Sequence, residues 1–150
     1  MQISDVKNDL TLLGLEDNLN QAILLYLCGT ARKMRRKMSV LIEGNLGFGK
    51  SYLVTEVLKL FPDENKQNIS TITQAGLMRL KDVEQMILFV FEKYHDPEVD
   101  LVIRELLSEG TAVRIISNWK RSEELRLNVP TTLFETTIAA ERFSHENRSR

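Results

Sequence analysis

The chain has 150 residues, of which 43% are hydrophobic and 27% charged, and its net charge is −1. These values are typical of one soluble globular domain, and they exclude a globally basic nucleic-acid-binding surface. The one cysteine, Cys28, excludes an internal disulfide and favours a reducing, cytoplasmic setting. Cys28 lies in an apolar helical run, which predicts a buried, inert thiol. That run is too short to cross a membrane, and the N-terminus lacks the pattern of a secretory signal.

Residues 1–36 predict a helical segment that packs on the rest of the chain. A short helix within 3–15 ends at Gly14, and a second helix runs from Asp17 or Asn18 to about Arg32. The second helix is predicted to place Leu19, Ile23, Tyr26 and Leu27 on one face. The run 32–37 then holds five positive charges in six residues. Two interpretations stay open for this run: a solvated helix end, or a contact with a phosphate backbone.

Residues 37–150 predict an α/β core in which strands and helices alternate. In chain order we predict a strand at 38–43, a helix at 52–60, a strand at 68–73, a short helix at 74–81, a strand at 86–91, a helix at 97–109, a hairpin of strands 111–117 and 123–129, a strand at 131–137 and a polar segment at 138–150. The continuous apolar run 86–91 is typical of a strand buried on both faces. The alternation therefore predicts a parallel sheet covered by helices on both faces, with ligands at the carboxyl ends of the strands.

The most informative motif lies between the first core strand and its helix. Its residues are Gly44, Asn45, Leu46, Gly47, Phe48, Gly49, Lys50 and Ser51, and they fill every position of the phosphate-binding pattern G-x-x-x-x-G-K-[ST]. A chain of this length should match that pattern by accident only about five times in a thousand. We expect the loop amides and Lys50 to hold the phosphates of ATP and Ser51 to bind Mg²⁺. Tyr52, the next residue, is included among the predicted nucleotide-binding residues.

The second half of such a site is incomplete in this sequence. ATPases with this loop usually carry an aspartate for the magnesium shell at the tip of another central strand, often followed by a glutamate that orients water. Here the run 86–91 ends in Phe91, and Glu92 follows. We expect Glu92 to position the water and to join Ser51 at the metal. A phenyl ring cannot enter the magnesium shell, so either Glu92 serves alone or hydrolysis is crippled, while nucleotide binding survives.

Two further groups of residues are candidates for contacts with other molecules. Trp119, Lys120 and Arg121 in the turn of the hairpin combine a stacking surface with two cations, the pairing that holds single-stranded nucleic acid. A Trp that folds back on the sheet is the alternative. Arg142, Arg148 and Arg150 are candidates for an arginine finger that reaches a neighbour's nucleotide, and we select Arg148. His95 and His145 lie far apart without partnering cysteines, so no zinc site is predicted.

The segment from about Gly14 to Arg148 resembles the ATPase domain of primase–helicase-like proteins of bacterial and phage mobile elements, within the AAA+ class. The resemblance rests on residues 39–44 leading into 49–54, on 58–62, on 100–110, on Thr136 and Thr137, and on 145–148. It implies a P-loop NTPase fold with Thr136 or Thr137 as the γ-phosphate sensor. It also implies a β-hairpin insertion before the sensor strand that touches DNA in the pore of a ring, where the hairpin at 111–129 falls. The fifth strand and helical lid of that class find no counterpart before Arg150.

Together these features predict an ATP-binding, weakly hydrolysing AAA+-like domain of a DNA replication protein. ATP, Mg²⁺, single-stranded DNA and either ring neighbours or a replication protein are its expected partners, and no membrane is involved. A nucleotide-binding interaction module that does not hydrolyse is one alternative. A helicase-loader-type ATPase that acts through a partner protein is another. A small-molecule kinase is disfavoured, because the loop begins after more than 40 residues and no phosphate-acceptor lid is apparent.

Overall fold

The computed structural model describes residues 2–34, 38–80, 83, 85–91, 97–118, 121–128 and 132–137. The helices are α1 (Ile3–Leu12), α2 (Leu19–Thr30), α3 (Lys50–Leu58), α4 (Gln74–Met78) and α5 (Pro97–Glu109). The strands are β1 (Val40–Glu43), β2 (Lys66–Ile69), β3 (Ile87–Val90), β4 (Thr111–Asn118), β5 (Arg121–Asn128) and β6 (Thr132–Thr137). Three single 3₁₀ turns lie at Glu16–Asn18, Ala31–Lys33 and Asp63–Asn65. The predicted order of elements is confirmed for these residues.

Four strands form a parallel sheet in the order β1-β6-β3-β2. Strand β6, the last of the four in the sequence, lies between β1 and β3, so that Phe134 is opposite both Val40 and Phe89. All four residues of β3 are buried, as the continuous apolar run predicted. The α/β class and the parallel sheet are therefore confirmed. Strand β2 begins two residues earlier than predicted and is shorter.

Helices cover both faces of this sheet, and each face has its own core. We call the first the α3-side core: it joins buried residues of α1, α2 and α3 to Ile87, Phe89 and Phe134 of the sheet. We call the second the α5-side core: it joins buried residues of α4, α5 and the hairpin to Leu88, Val90 and Leu133. Successive strand residues thus enter opposite cores, because side chains alternate along a strand.

The N-terminal helices belong to the α3-side core and are not a separate layer. Val6 and Leu10 of α1 are buried there beside residues of α2 and α3. The inward face of α2 differs from the prediction, since Leu27 is 45% exposed. That helix is apolar almost all round, so its periodicity could not identify the buried side. Cys28 is buried, and burial raises the pKa of its thiol, which fits the inert role predicted from the sequence.

Arg32, the first residue of the basic run, is buried rather than solvated, because it is only 4% exposed. Its guanidinium donates hydrogen bonds to the Gly29 carbonyl oxygen at 3.2 Å and to Asn65 Oδ1 at 3.0 Å. It also lies over the Phe61 ring, 5.2 Å from the centroid. Arg32 therefore ties the end of α2 to the segment after α3, while Lys33 remains exposed and residues 35–37 lie outside the described part.

Strands β4 and β5 form a separate antiparallel hairpin, as predicted. Gly110 ends α5 with a positive φ of 73°, and β4 starts at the next residue. Arg114 of β4 donates to both carboxylate oxygens of Glu105 on α5, at 2.7 and 3.1 Å. The hydrogen bond from Arg114 lowers the pKa of the Glu105 carboxyl. The base of the hairpin is thus held against α5 by this ion pair and by the buried side chains of Ala112 and Leu127.

Candidate functional site

The segment 44–51, which we call the glycine loop, connects the carboxyl end of β1 to α3. Gly47 and Gly49 have positive φ values of 83° and 70°, and a Cβ atom at either position would meet nothing within 4 Å. Glycine adopts this backbone conformation without strain. The Gly49 carbonyl oxygen accepts a hydrogen bond from the Leu53 amide at 2.8 Å, so α3 begins within the motif. The strand–loop–helix arrangement that the motif requires is present.

The Lys50 side chain reaches back to the start of the glycine loop. Its ammonium group donates to the carbonyl oxygens of Gly44 at 2.7 Å and of Asn45 at 2.8 Å. At the same end of the loop, the Gly44 amide donates to the Thr137 carbonyl oxygen at 3.3 Å, which joins the loop to β6. The positive charge of Lys50 is therefore held over the turn by backbone carbonyls, which a stronger acceptor such as a phosphate oxygen could replace.

A cavity of about 290 Å³ opens beside the glycine loop. Three parts of the chain line it: the end of β1, the glycine loop with the start of α3, and the segment before and within α2. The lining residues are Ile42, Glu43, Gly44, Phe48, Gly49, Lys50, Tyr52 and Leu53, with Gly14, Leu15, Asp17, Asn18 and Gln21. Phe48 and Tyr52 are 75% and 56% exposed, so their rings flank an open mouth.

Sequence reasoning missed the wall formed by residues 14–21. Asp17, Asn18 and Gln21 bring a carboxylate and two amides to the cavity. The Tyr52 hydroxyl donates to the Leu13 carbonyl oxygen at 3.5 Å and so connects this wall to α3. The signal in the sequence was Gly14 followed by polar residues, a pattern that by itself indicates only a helix start.

The predicted sensor threonines lie at the carboxyl end of β6, beside the glycine loop. Thr136 is opposite Ile42 of β1 and is fully buried. Thr137 is opposite Glu43, is half-buried, and contributes the carbonyl that Gly44 contacts. Both residues are thus next to the loop, and Thr137 is the one at the rim.

Phe91 follows β3 at the same end of the sheet. Its ring packs against the α3-side core and lies 4.2 Å from the Phe89 ring, centroid to centroid. Its amide donates to the Ile69 carbonyl oxygen at 3.1 Å, which continues the pairing of β3 with β2. Position 91 therefore lies on the face of the sheet that α3 covers, where an acidic residue could approach the loop, and it holds an aromatic ring instead.

Several predicted site residues lie outside the described part of the chain: Glu92, Trp119, Lys120 and Arg148, together with Arg142, Arg150 and the two histidines. Arg121 is the first residue of β5. The described residues contain no group of three or more His, Cys, Asp or Glu side chains that could hold a metal ion. The structure thus places the glycine loop, Phe91 and the β6 threonines at the same end of the parallel sheet.

No model of a known protein family matches the chain, and no curated protein matches it significantly. Among the residues that the structure describes, no helix is both long enough and apolar enough to cross a membrane.

Proposed function

We propose that this chain is an AAA+-like P-loop ATPase domain that binds ATP with Mg²⁺ at the glycine loop. The observation that carries the proposal is the position of Lys50. Lys50 lies in the same loop as two glycines of positive φ. This loop follows the carboxyl end of a parallel strand and lines a 290 Å³ cavity. Ligands of open α/β sheets bind at this end of the strands.

The loop offers the groups that a polyphosphate needs. Amides at the start of α3 carry the partial positive charge of a helix N-terminus, and Lys50 adds a full charge. Glycines at 47 and 49 leave room for phosphate oxygens to approach the backbone, since their missing Cβ atoms would point into open space. Binding would exchange the two carbonyl contacts of Lys50 for contacts with the β- and γ-phosphates.

The wall at residues 14–21 favours a nucleotide over a free polyphosphate. The side-chain amides of Asn18 and Gln21 can each pair with two adjacent atoms of an adenine edge, as such amides do in nucleic-acid recognition. Tyr52 and Phe48 present rings on which a base can stack. The cavity is therefore suited to hold the base while the glycine loop holds the phosphates.

The magnesium ion would neutralise the phosphate charge and stabilise charge that develops during transfer. Ser51, the second residue of α3, would bind this ion through its hydroxyl, because it directly follows Lys50 in the motif. Glu92 is proposed to orient the attacking water, and Thr136 or Thr137 to sense the γ-phosphate. The Phe91 ring has no oxygen that could bind the magnesium ion, and we infer slow ATP hydrolysis for this reason.

The link to DNA replication rests on the resemblance to primase–helicase-like proteins, and so do the ring neighbours and the Arg148 finger. The separate hairpin directly before β6 supports it, because that is where a pore hairpin would be inserted. We propose that Trp119, Lys120 and Arg121 in its turn contact single-stranded DNA. A helicase-loader-type role through a protein partner is the alternative use of the same ATP site.

Removal of the Lys50 charge tests the proposal directly. Lys50→Ala should weaken ATP binding at least tenfold, about 1.4 kcal/mol, because the β- and γ-phosphates lose their charged partner. Isothermal titration calorimetry measures this. Lys33→Ala, which removes an exposed lysine that does not line the cavity, is the matched control and should bind as the wild type does. Unchanged affinity in Lys50→Ala would contradict ATP binding at the glycine loop.

A nucleotide-binding module without hydrolysis is the second candidate, and the packing of Phe91 on Phe89 favours it. Phe91→Asp should raise ATP turnover if the rest of the site is competent, because it places a carboxylate at the end of β3. It should also reduce stability, since the aromatic contact is lost. Turnover and the free energy of unfolding are measured on the same preparation. Wild-type turnover on the order of one per second or faster would contradict slow hydrolysis and the second candidate alike.

A further inference from the structure

The hairpin of β4 and β5 is a separate sheet that rests on α4 and α5. Among the described residues, neither of its strands pairs with the four-stranded sheet. An isolated two-stranded hairpin is marginally stable in water, so this one depends on the helices against which it packs. The chain enters β4 directly after Gly110, where φ is 73° and a Cβ atom would meet nothing within 4 Å. Residue 110 therefore places no side chain between α5 and the hairpin.

An ion pair joins this hairpin to α5. Arg114 donates to both carboxylate oxygens of Glu105, at 2.7 and 3.1 Å, and its Nη1 also donates to the Val113 carbonyl oxygen at 2.8 Å. The side chains of Arg114 and Glu105 are 21% and 34% exposed, so water and salt ions reach the pair. A second pair, between Arg79 after α4 and Glu123 of β5, is longer, at 3.8 Å, and more exposed. It should therefore contribute less.

An apolar pocket of about 40 Å³, partly open to solvent, lies beneath the hairpin. Leu127 of β5 lines it together with residues of α4, α5 and the sheet. Ala112 of β4 and Leu127 are both buried against the α5-side core. Because the pocket leaves Leu127 without packing partners on one side, docking of the hairpin gains less attraction than a filled interface would supply.

We propose that the hairpin undocks from α5 as a unit while the sheet and the α3-side core stay folded, and that the Arg114–Glu105 pair is the latch that keeps it closed. Partial opening of this kind is expected where buried apolar contacts are few and the remaining contact is within reach of solvent. Undocking widens the pocket and exposes the apolar side chains under the hairpin. Since the latch is electrostatic, ionic strength sets the open fraction. The inference does not depend on the proposed ATP site.

Thiol labelling under native conditions measures this opening. Ala112→Cys places a thiol under the hairpin, and the native Cys28, buried in the α3-side core, reports opening of the rest of the molecule in the same sample. Labelling with Ellman's reagent, resolved by peptide mass spectrometry, should be at least about tenfold faster at position 112 than at Cys28. Adding Glu105→Gln should raise the rate at position 112 by a further two- to fivefold or so. Sodium chloride at about 1 M should raise it similarly, but only where Glu105 is present.

Glu124→Gln is the matched control for the latch, because Glu124 pairs with Arg126 on the same strand, at 3.3 Å, and both side chains are exposed. It should leave the labelling rate at position 112 unchanged. Val102→Cys is the control for α5 itself, since Val102 is fully buried in the α5-side core and does not line the pocket. Position 102 should be labelled about as slowly as Cys28.

Equal labelling rates at position 112 and at Cys28 would show that the hairpin opens only when the whole molecule unfolds, and would overturn the proposal. Labelling at position 102 as fast as at position 112 would overturn it too, because α5 would then open with the hairpin. A rate in Glu105→Gln no higher than in Glu124→Gln would refute the latch. Leu127→Cys reports the same movement from β5 and takes the place of Ala112→Cys if that variant does not fold.

Discussion

The two cores of the molecule differ in how closely they are packed. The α3-side core contains the rings of Tyr26, Phe61, Phe89 and Phe134, and α2 approaches so closely that a Cβ atom at Gly29 would lie 2.6 Å from Phe61 Cζ. The α5-side core is built from aliphatic side chains and methionine, and it borders a partly open apolar pocket of about 40 Å³. Side chains that border this pocket lack packing partners on one side, whereas interior side chains are normally packed all round.

The two cores lie beneath different parts of the molecule. The α3-side core supports α3 and therefore the glycine loop that precedes it, whose proposed binding of phosphates would need a preorganised geometry. The loosely packed core lies beneath the hairpin, where Leu127 contributes to the cavity wall. One sheet thus carries the glycine loop over an aromatic core on one face and the hairpin over an aliphatic core on the other.

Truncation of two neighbouring residues of β6 should reduce stability by different amounts. Phe134→Ala should destabilise the protein by about 3–5 kcal/mol, because it empties the closely packed core. Leu133→Ala removes fewer contacts, since its side chain borders the existing cavity, and should cost about 2 kcal/mol. Urea unfolding of both variants provides the free energies. An equal or larger loss for Leu133→Ala would show that the α5-side core is as well packed as its counterpart.

Adding one methylene group to each core should change stability in opposite directions. Val57→Ile adds a methylene group to the α3-side core, where Val57 is fully buried, and should cost about 1–3 kcal/mol. Val90→Ile adds the same group beside the cavity and should stabilise by up to about 0.8 kcal/mol. Thermal and urea unfolding measure both. Destabilisation of similar size in the two variants would contradict the difference in packing.

The smallest effect concerns the ion pair at the base of the hairpin. Arg114 lowers the pKa of Glu105 in the folded state, so the pair stabilises the protein above the ordinary carboxyl pKa of about 4.3. That stabilisation should be lost as the pH falls through the folded-state pKa. The stability difference between wild type and Glu105→Gln should therefore shrink from pH 6 to pH 3. A constant difference over this range would indicate that the ion pair contributes nothing to stability.

The sequence predicted the parts of the fold that short patterns specify. The strand–loop–helix unit around Lys50 and the buried strand β3 each depend on a few adjacent residues, and both are confirmed. The wall at 14–21 was missed, because nothing in that segment indicates that it lies beside residues some 30 positions later. Arg32 was misjudged for a related reason: its partner Asn65 is 33 residues away, so its charge suggested exposure.

The place of β6 between β1 and β3 has a consequence for how the chain can fold. The Leu133 amide donates to Ser39 Oγ, a residue 94 positions earlier, and β6 forms hydrogen-bonded ladders with both neighbours. Until β6 is available, β1 and β3 lack a common partner, and the sheet has a gap at its centre. Contacts of such high sequence separation slow folding, because a long loop must close before the contacts form. A chain still in synthesis therefore exposes two strand edges until residue 137 has emerged, and that interval is when it is most open to aggregation.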